Sequence, residues 1–238
     1  MTPLVSIVLS CYNRVKQLRN TLESIRHQVG PRQEVIDPEI IVVEDGYDGG
    51  ATESLAKTFG ANYFRRNDRA DLPKFQNPSR VHNIGIRRAT GSIVILQGGE
   101  VKYDTPTGVL AMIAPVIYDG MTSTFALVKS LDEKGNFAEW YSHPREGERA
   151  GWKINFCQAV RRDALLTIGG FDETFAGYGG EDNDFEERLQ MVGIKLQYAE
   201  QAMCSHQWHP RMGYGSIDFC GGSRVGYQAN VGKEWGKL

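Results

Sequence analysis

Short apolar runs rich in β-branched residues recur at residues 4–9, 40–43, 63–64 and 93–96, and helical patterns fill the gaps between them. In the first gap, residues 15–27 place Val15, Leu18, Leu22 and Ile25 at spacings of three and four, the signature of an amphipathic helix. Residues 52–59 read as a short helix, and 78–89 as one opening near Pro78 with Ile84 and Ile86 towards a core. The runs are continuously apolar, as strands buried on both faces require. Strand and helix alternating through short links predict an α/β fold: a mostly parallel sheet with helices on both faces.

After Glu100 the pattern loosens. Residues 109–117 read as a helix, 124–129 as a strand, 131–141 as a hairpin turning at 132–136, and 156–160 as another strand. Residues 143–151 form a charged, mobile connection, and no repeat or low-complexity linker breaks the chain. At 238 residues it suits one large domain or a domain with an added lobe.

Composition narrows the function classes. A formal net charge of −2 gives no general affinity for a phosphate backbone. The first apolar run is too short for a signal sequence or a membrane span, and later runs do not reach that length either. The four cysteines, Cys11, Cys157, Cys204 and Cys220, form no CxxC pair and read as reduced thiols of a cytoplasmic protein.

Open parallel sheets bind ligands at the carboxyl ends of their strands. Those ends read SCYNR (10–14), EDGYDGG (44–50) and QGGE (97–100). None is a GxGxxG or P-loop motif. Glu44 and Asp45 either cap a turn, accept hydrogen bonds from a base or ribose, or hold a divalent cation that cradles phosphate. The densest stretch is GGFDETFAGYGGEDNDFEERLQMVG, residues 169–193. Its acids open a helix whose apolar stripe is Phe185, Leu189 and Val192. Acids in a first helical turn suit the macrodipole whatever the function. The paired glycines on either side of 171–178 instead point to backbone approaching something closely.

SIVLSCYNR, IIVVEDGYDGG, NIGIRRATGSIVIL and GGFDETFAGYGGEDNDFEERL, in this order, strongly resemble the family 2 glycosyltransferases of GT-A fold. The last segment also resembles the carboxy-terminal motif of β-1,4-galactosyltransferases and of bifunctional chondroitin-type polymerases. The resemblance spans residues 4–210. It implies a single Rossmann-like GT-A domain over 1–238, with a nucleotide-sugar half (1–104), a smaller acceptor-side and catalytic lobe (105–212) and a flexible glycine-rich tail (213–238). It implies an inverting transfer of sugar from a nucleoside diphosphate sugar, UDP-linked by the family's habit, to an acceptor hydroxyl.

Matched residue by residue, the resemblance puts Ser10, Tyr12 and Arg14 along the nucleotide and Asp45 on its base or ribose. It puts Arg80 and Asn83 near the diphosphate and sugar. Asp182 matches the general base, with Glu181 orienting it or the acceptor. QGGE stands where the family carries Asp-x-Asp and a further acid that hold Mn²⁺ or Mg²⁺. Gln97 and Gly99 replace the aspartates, which implies a weakened metal site held by Glu100, with the amide oxygen of Gln97 helping. CSHQWHP supplies a late histidine ligand, His209 first and His206 second. A structural zinc site from Cys204, His206, His209 and Cys220 is the rival reading.

Other residues keep two readings. Trp140, Tyr141 and Trp152 either stack on a sugar acceptor or fill the core. Arg65, Arg66, Arg69, Arg80, Arg87 and Arg88 approach a diphosphate or an anionic acceptor, or form a solvated face. The acceptor is open: a polysaccharide, a lipid-linked sugar, a protein or a modified nucleic acid base. The alternative function is a degenerate member that binds nucleotide sugar or glycan without transfer. Oligomeric state is not legible.

Overall fold

A computed structural model of the chain describes residues 4–66, 77–146, 155–175 and 179–210. Arg69, Trp152, Cys220, residues 147–151 of the charged connection and the glycine-rich tail lie outside these. The elements in chain order are β1 (Val5–Cys11), α1 (Val15–Arg26), β2 (Glu39–Glu44), α2 (Ala51–Thr58), β3 (Asn62–Arg65), α3 (Ser79–Arg88), β4 (Ile93–Gly98), β5 (Val101–Tyr103), α4 (Gly108–Tyr118), β6 (Thr122–Leu131), β7 (Phe137–Ser142), β8 (Cys157–Arg161), α5 (Arg162–Thr167), α6 (Glu181–Met191) and β9 (Lys195–His206).

The strands form one sheet in the order β3-β2-β1-β4-β8-β6-β9-β5, with β7 paired to β6. Alternation decides how its two faces are filled. Ile7, Leu9, Ile40, Val42, Ile93 and Ile95 face the core that α1, α2 and α4 cover. Val8, Ile41, Val43, Val94 and Leu96 face the opposite core, beneath α3, α5 and α6. Each continuous apolar run therefore supplies both cores at once, the physical reason it lacks a polar face.

The sheet is mixed, which corrects the expectation of a mostly parallel one. β3, β2, β1 and β4 run parallel, as do β6 and β9. β8 is antiparallel to both β4 and β6, β5 to β9, and β7 to β6. The chain enters β8 beside the end at which β4 leaves, with Gln97 opposite Cys157, so no crossover helix is needed to reverse it. Three elements were not legible in the pattern: β5, α5 and the long strand β9. In β9 the sequence KLQYAEQAMCSH mixes exposed and buried positions because the strand lies between β6 and the three-residue β5 near the sheet's edge.

The order of the parallel strands sets where a ligand can go. β2 lies on one side of β1 and β4 on the other, so the ends of β1 and β4 flank the point where the winding reverses. SCYNR and QGGE meet there. Helix α3 closes the other face of this region and needs Gly85 to do so, because an added Cβ would overlap Val8 Cγ1. Gly85→Ala is expected to lower stability by about 1–3 kcal/mol through overpacking. Urea unfolding measures it, and an unchanged midpoint would mean that α3 does not dock on β1 this closely.

Candidate active site at the strand ends

The bend after β4 is held from every side. Gly99 N–H donates to the Ser10 carbonyl at 2.7 Å, and Gly98 N–H to the Phe156 carbonyl at 3.1 Å. Thr21 Oγ1 donates to the Gly99 carbonyl at 2.9 Å. Gln207 places both its backbone N–H (3.0 Å) and its side-chain Nε2 (3.1 Å) on the Glu100 carbonyl. Gly99 has little room for a side chain: a Cβ there would stand 2.9 Å from the Ser10 carbonyl oxygen. An aspartate at this position would require the bend or β1 to shift. The Gln97 side chain also differs from its expected role. It is fully buried, donating to the Val101 carbonyl and lying 3.7 Å from the Cys157 thiol, so its amide faces the core rather than a cation.

The Glu100 carboxylate then meets two histidines. Ligand atoms of Glu100, His206 and His209 all lie within 4.8 Å of one another. Two ligands each about 2.1 Å from a shared cation sit at most roughly 4.2 Å apart, so a contraction of a few tenths of an ångström would close the site. One carboxylate and two imidazoles suit Mn²⁺ or Zn²⁺ better than Mg²⁺, which prefers oxygen ligands. The structure groups these histidines with Glu100 and not with Cys204, which is buried in the core beside Cys157. Tyr141 and Phe156 wall the cluster, with ring centroids 5.0 and 5.6 Å from that of His206.

Arg14 shares the same carboxylate. Its guanidinium stands 2.6 Å from Glu100 Oε1, and His206 Nε2 stands 3.4 Å from that oxygen. Burial alone would raise the Glu100 pKa, but His206 and Arg14 outweigh it and hold the group well below the usual carboxylate range. His209 is pushed down by burial and by the Arg14 charge, which keeps its imidazole neutral and able to ligate.

On the β1–β2 side, the Tyr12 ring packs against Gly46, whose φ of +136° only glycine tolerates easily. Asp45 Oδ1 lies 3.6 Å from Arg66 Nη1, with both side chains largely buried. Glu44 is structural: fully buried, it accepts the Asp48 N–H at 2.9 Å and the Tyr63 hydroxyl. Asp48 in turn caps α2 through Thr52. Ser10 is half-buried and contributes its backbone carbonyl to the bend.

On the other side, α6 starts at a left-handed Gly180 (φ +92°) and presents Glu181 and Asp182. Asn77 donates to Glu181 at 2.9 Å. Burial raises the pKa of Glu181. Burial first, and the Glu181 charge second, push Asp182 up to about 8, against a backbone N–H from Asn155. Asp184 has another task. It pairs with Arg188 at 2.6 Å, and Arg188 also donates to the Ile168 and Gly170 carbonyls, tying α6 to the glycine loop. Asn83 clamps the same loop, accepting Phe171 N–H and donating to the Phe171 carbonyl, both at 2.8 Å, and it reaches Glu173. Arg80 is exposed and lies 3.6 Å from Glu173. His82 stacks on Phe171, and burial lowers its pKa to about 4. Thus Arg14, Glu100, His206 and His209 cluster, Glu181 and Asp182 pair, and Asn83 and Gln97 support rather than line the crevice.

Trp140 packs on Phe137 and His143 and donates to Glu146, while Tyr141 belongs to the histidine wall. Arg65 and Arg88 lie over the rings of Tyr47 and Phe64, and Arg87 pairs with Glu173.

Residues 6–100 match the family described as Glycosyl transferase family 2, and residues 157–210 match the one described as N-terminal domain of galactosyltransferase. Chondroitin synthase of Escherichia coli is 25% identical over 249 residues, covering 87% of this chain and 35% of that protein. The uncharacterized glycosyltransferase YfnE of Bacillus subtilis (strain 168) is 33% identical over 86 residues, covering 35% of this chain and 20% of that protein. The chain thus spans about a third or less of these curated relatives. Among solved structures, a mannosyltransferase from Pyrobaculum calidifontis in complex with GDP-Man and Mn²⁺ has a TM-score of 0.62 at 17% identity, over 90% of this chain and 59% of that one. GalNAc-T7 with UDP, GalNAc and Mn²⁺ has a TM-score of 0.68 at 17% identity, over 88% and 45%. S. aureus TarS has 0.64 at 14% identity, over 85% and 60%. The fold is that of a GT-A-like glycosyltransferase core, and the family models and relatives it matches in sequence are those of glycosyltransferases. No helix among the described residues is long and apolar enough to cross a membrane.

Removing a residue that merely orients a metal ligand lowers affinity by roughly 10–100-fold, and removing a ligand should do at least as much. Glu100→Gln and His209→Ala are each expected to weaken Mn²⁺ binding by roughly 10-fold or more, measured by titration against the paramagnetic signal of free Mn²⁺. Wild-type affinity in both variants would move the cation elsewhere.

Proposed function

We propose that this chain transfers a sugar, with inversion, from a nucleoside diphosphate sugar, UDP-linked in the first instance, to an acceptor hydroxyl. One observation carries the reading. A carboxylate–imidazole cluster and a high-pKa carboxyl pair lie at two ends of one stretch of chain, Asn155–Phe156, alongside the crevice where β1 and β4 end.

In this reading Tyr12 lies along the base, Asp45 accepts from base or ribose, and Ser10 lies along the nucleotide. Glu100, His206 and His209 would hold Mn²⁺, which supplies positive charge to the leaving diphosphate when bound. Arg14 faces the same oxygen of Glu100, and its guanidinium would be available to a phosphate wherever that oxygen served as a metal ligand. Arg80 serves the diphosphate from the rim. Asp182 removes the proton from the acceptor hydroxyl as that oxygen attacks the anomeric carbon. Inversion follows because base and leaving group occupy opposite faces of the sugar. Glu181 raises the basicity of Asp182 through its charge, and Asn77 fixes its orientation.

A second reading, a protein that binds nucleotide sugar without transfer, is favoured by QGGE itself, whose one acid is Glu100, and by the burial of Gln97, which turns its amide to the core. Slow donor hydrolysis in the absence of acceptor separates the two, since a pure binder shows none.

Asp182 must be deprotonated to act, so transfer should rise with pH and level off above about 8. Asp182→Asn is expected to lower kcat by roughly 10²–10⁴-fold while nucleotide binding stays unchanged. Glu181→Gln removes the neighbouring charge, so the rising limb should shift to lower pH. A pH profile unmoved by Glu181→Gln, or an Asp182→Asn variant at the wild-type rate, would remove Asp182 from the base role.

A further inference from the structure

Helix α4 is the exception among the described helices. The others turn charge to solvent: Lys16, Arg19, Glu23 and Arg26 on α1, Lys57 on α2, Arg87 and Arg88 on α3, Glu187 on α6. α4 reads GVLAMIAPVIY and carries no charged residue. Val109, Met112, Ile113 and Val116 fill the core, while Leu110, Ala111, Ala114, Ile117 and Tyr118 on its other side are half-buried or exposed. A helix that is apolar all round belongs inside a packed assembly. The apolar surface continues past the helix end, because Met121 is exposed and so are Met191 and Val192 at the end of α6. Met121 joins the two groups: its carbonyl accepts the Lys195 N–H at 2.7 Å, and a Cβ at Gly193 would stand 3.0 Å from its terminal methyl. Asp119 and Lys195 lie 3.5 Å apart in the same patch, with side chains 38% and 76% exposed.

We propose that this patch is the two-fold interface of a homodimer. Charge favours a second copy of the chain over an unlike partner. A two-fold axis sets Asp119 of each copy against Lys195 of the other, so opposite charges meet twice while the two uncharged α4 faces pack together. A uniformly acidic or basic partner would oppose one of the two with like charge. The area agrees. Covering Ile117, Tyr118, Met121, Met191 and Val192 hides roughly 600 Å² per copy before any rim is counted, against about 800 Å² per partner in a standard interface. The position also suits a dimer. β6 and β9 run parallel and begin beside the patch, whereas β9 ends at His206, about 35 Å along the strand. Both crevices of the dimer therefore stay open, and the inference stands whether or not the chain transfers sugar.

Sedimentation equilibrium of the full chain, from about 1 to about 100 μM, tests this. The wild type should form a reversible species of twice the chain's mass and no larger one. Tyr118 is 94% exposed and Met191 67%, so Tyr118→Glu and Met191→Lys spare the fold of one copy and should each weaken dimerisation roughly 10-fold or more. Lys195→Glu sets acid against acid at both ends and should weaken it too, more strongly at low salt. Circular dichroism checks that each variant is folded. A wild type that stays monomeric throughout would overturn the proposal. So would a dimer that Tyr118→Glu and Met191→Lys leave intact, or association that runs past two copies, the mark of a head-to-tail contact. Oxidation of Met121 and Met191 by hydroxyl radicals should slow as concentration rises. Protection already complete in a monomer would mean that another part of the chain covers the patch, and would sink the dimer.

Discussion

Everything at this site depends on the main chain of the bend after β4. Its amides and carbonyls are taken up by Ser10, Phe156, Thr21 and Gln207, which belong to or adjoin β1, β8, α1 and β9. Such a bend cannot rotate without breaking bonds to four separate parts of the fold. Glu100 inherits that rigidity, and so do the histidines: Gln207 lies between His206 and His209, so the hydrogen bonds that hold the bend also hold both ligands. The two-residue offset between Gln207 and His209 turns one lock into a two-sided cluster.

The same fold treats its buried carboxylates in two opposite ways. Glu100 receives Arg14 and His206, and its charge is stabilised well beyond the desolvation it suffers. Glu181 and Asp182 stand side by side, and the donors on them, such as Asn77 and the Asn155 N–H, are neutral, so burial raises both and the Glu181 charge raises Asp182 further. One carboxylate is thereby kept as an anion suited to a cation, and the other pair is kept proton-hungry. That division comes from what surrounds the groups, since all three are ordinary acids in the sequence. Asp184 shows the third outcome, an acid of the same stretch neutralised by Arg188 and devoted to holding the glycine loop.

The first half of the fold was legible because its runs were strong and local. Continuous apolar stretches mark strands that fill two cores, and α1 follows from the spacing of Leu18, Leu22 and Ile25. β9 was missed because its periodicity is blurred by a position near the sheet's edge, and β5 because three residues carry no pattern at all. The reversed direction of β8 was also out of reach: a strand's residues are the same whichever way it runs, and only its pairing with β4 decides. At the site, the residue types of Glu100, His206, His209, Glu181 and Asp182 could be read from motifs. The supporting residues could not, because Thr21, Asn77 and Gln207 act through partners far along the chain.

What the sequence determined by itself is the local chemistry: which segments bury both faces, where strands end in polar bends, and which acids and imidazoles stand at those ends. Tertiary structure alone decided which of them meet. Glu100 lies over a hundred residues from His206, and a hydrogen bond or ion pair of that span follows from the pairing of β5 with β9, which no local preference encodes. It also decided that Gln97 faces the core and that Gly99 leaves no room for an aspartate unless the bend or β1 shifts. Both outcomes are set by the atoms packed against those positions, and no residue carries in its own name the neighbours that the fold will bring to it.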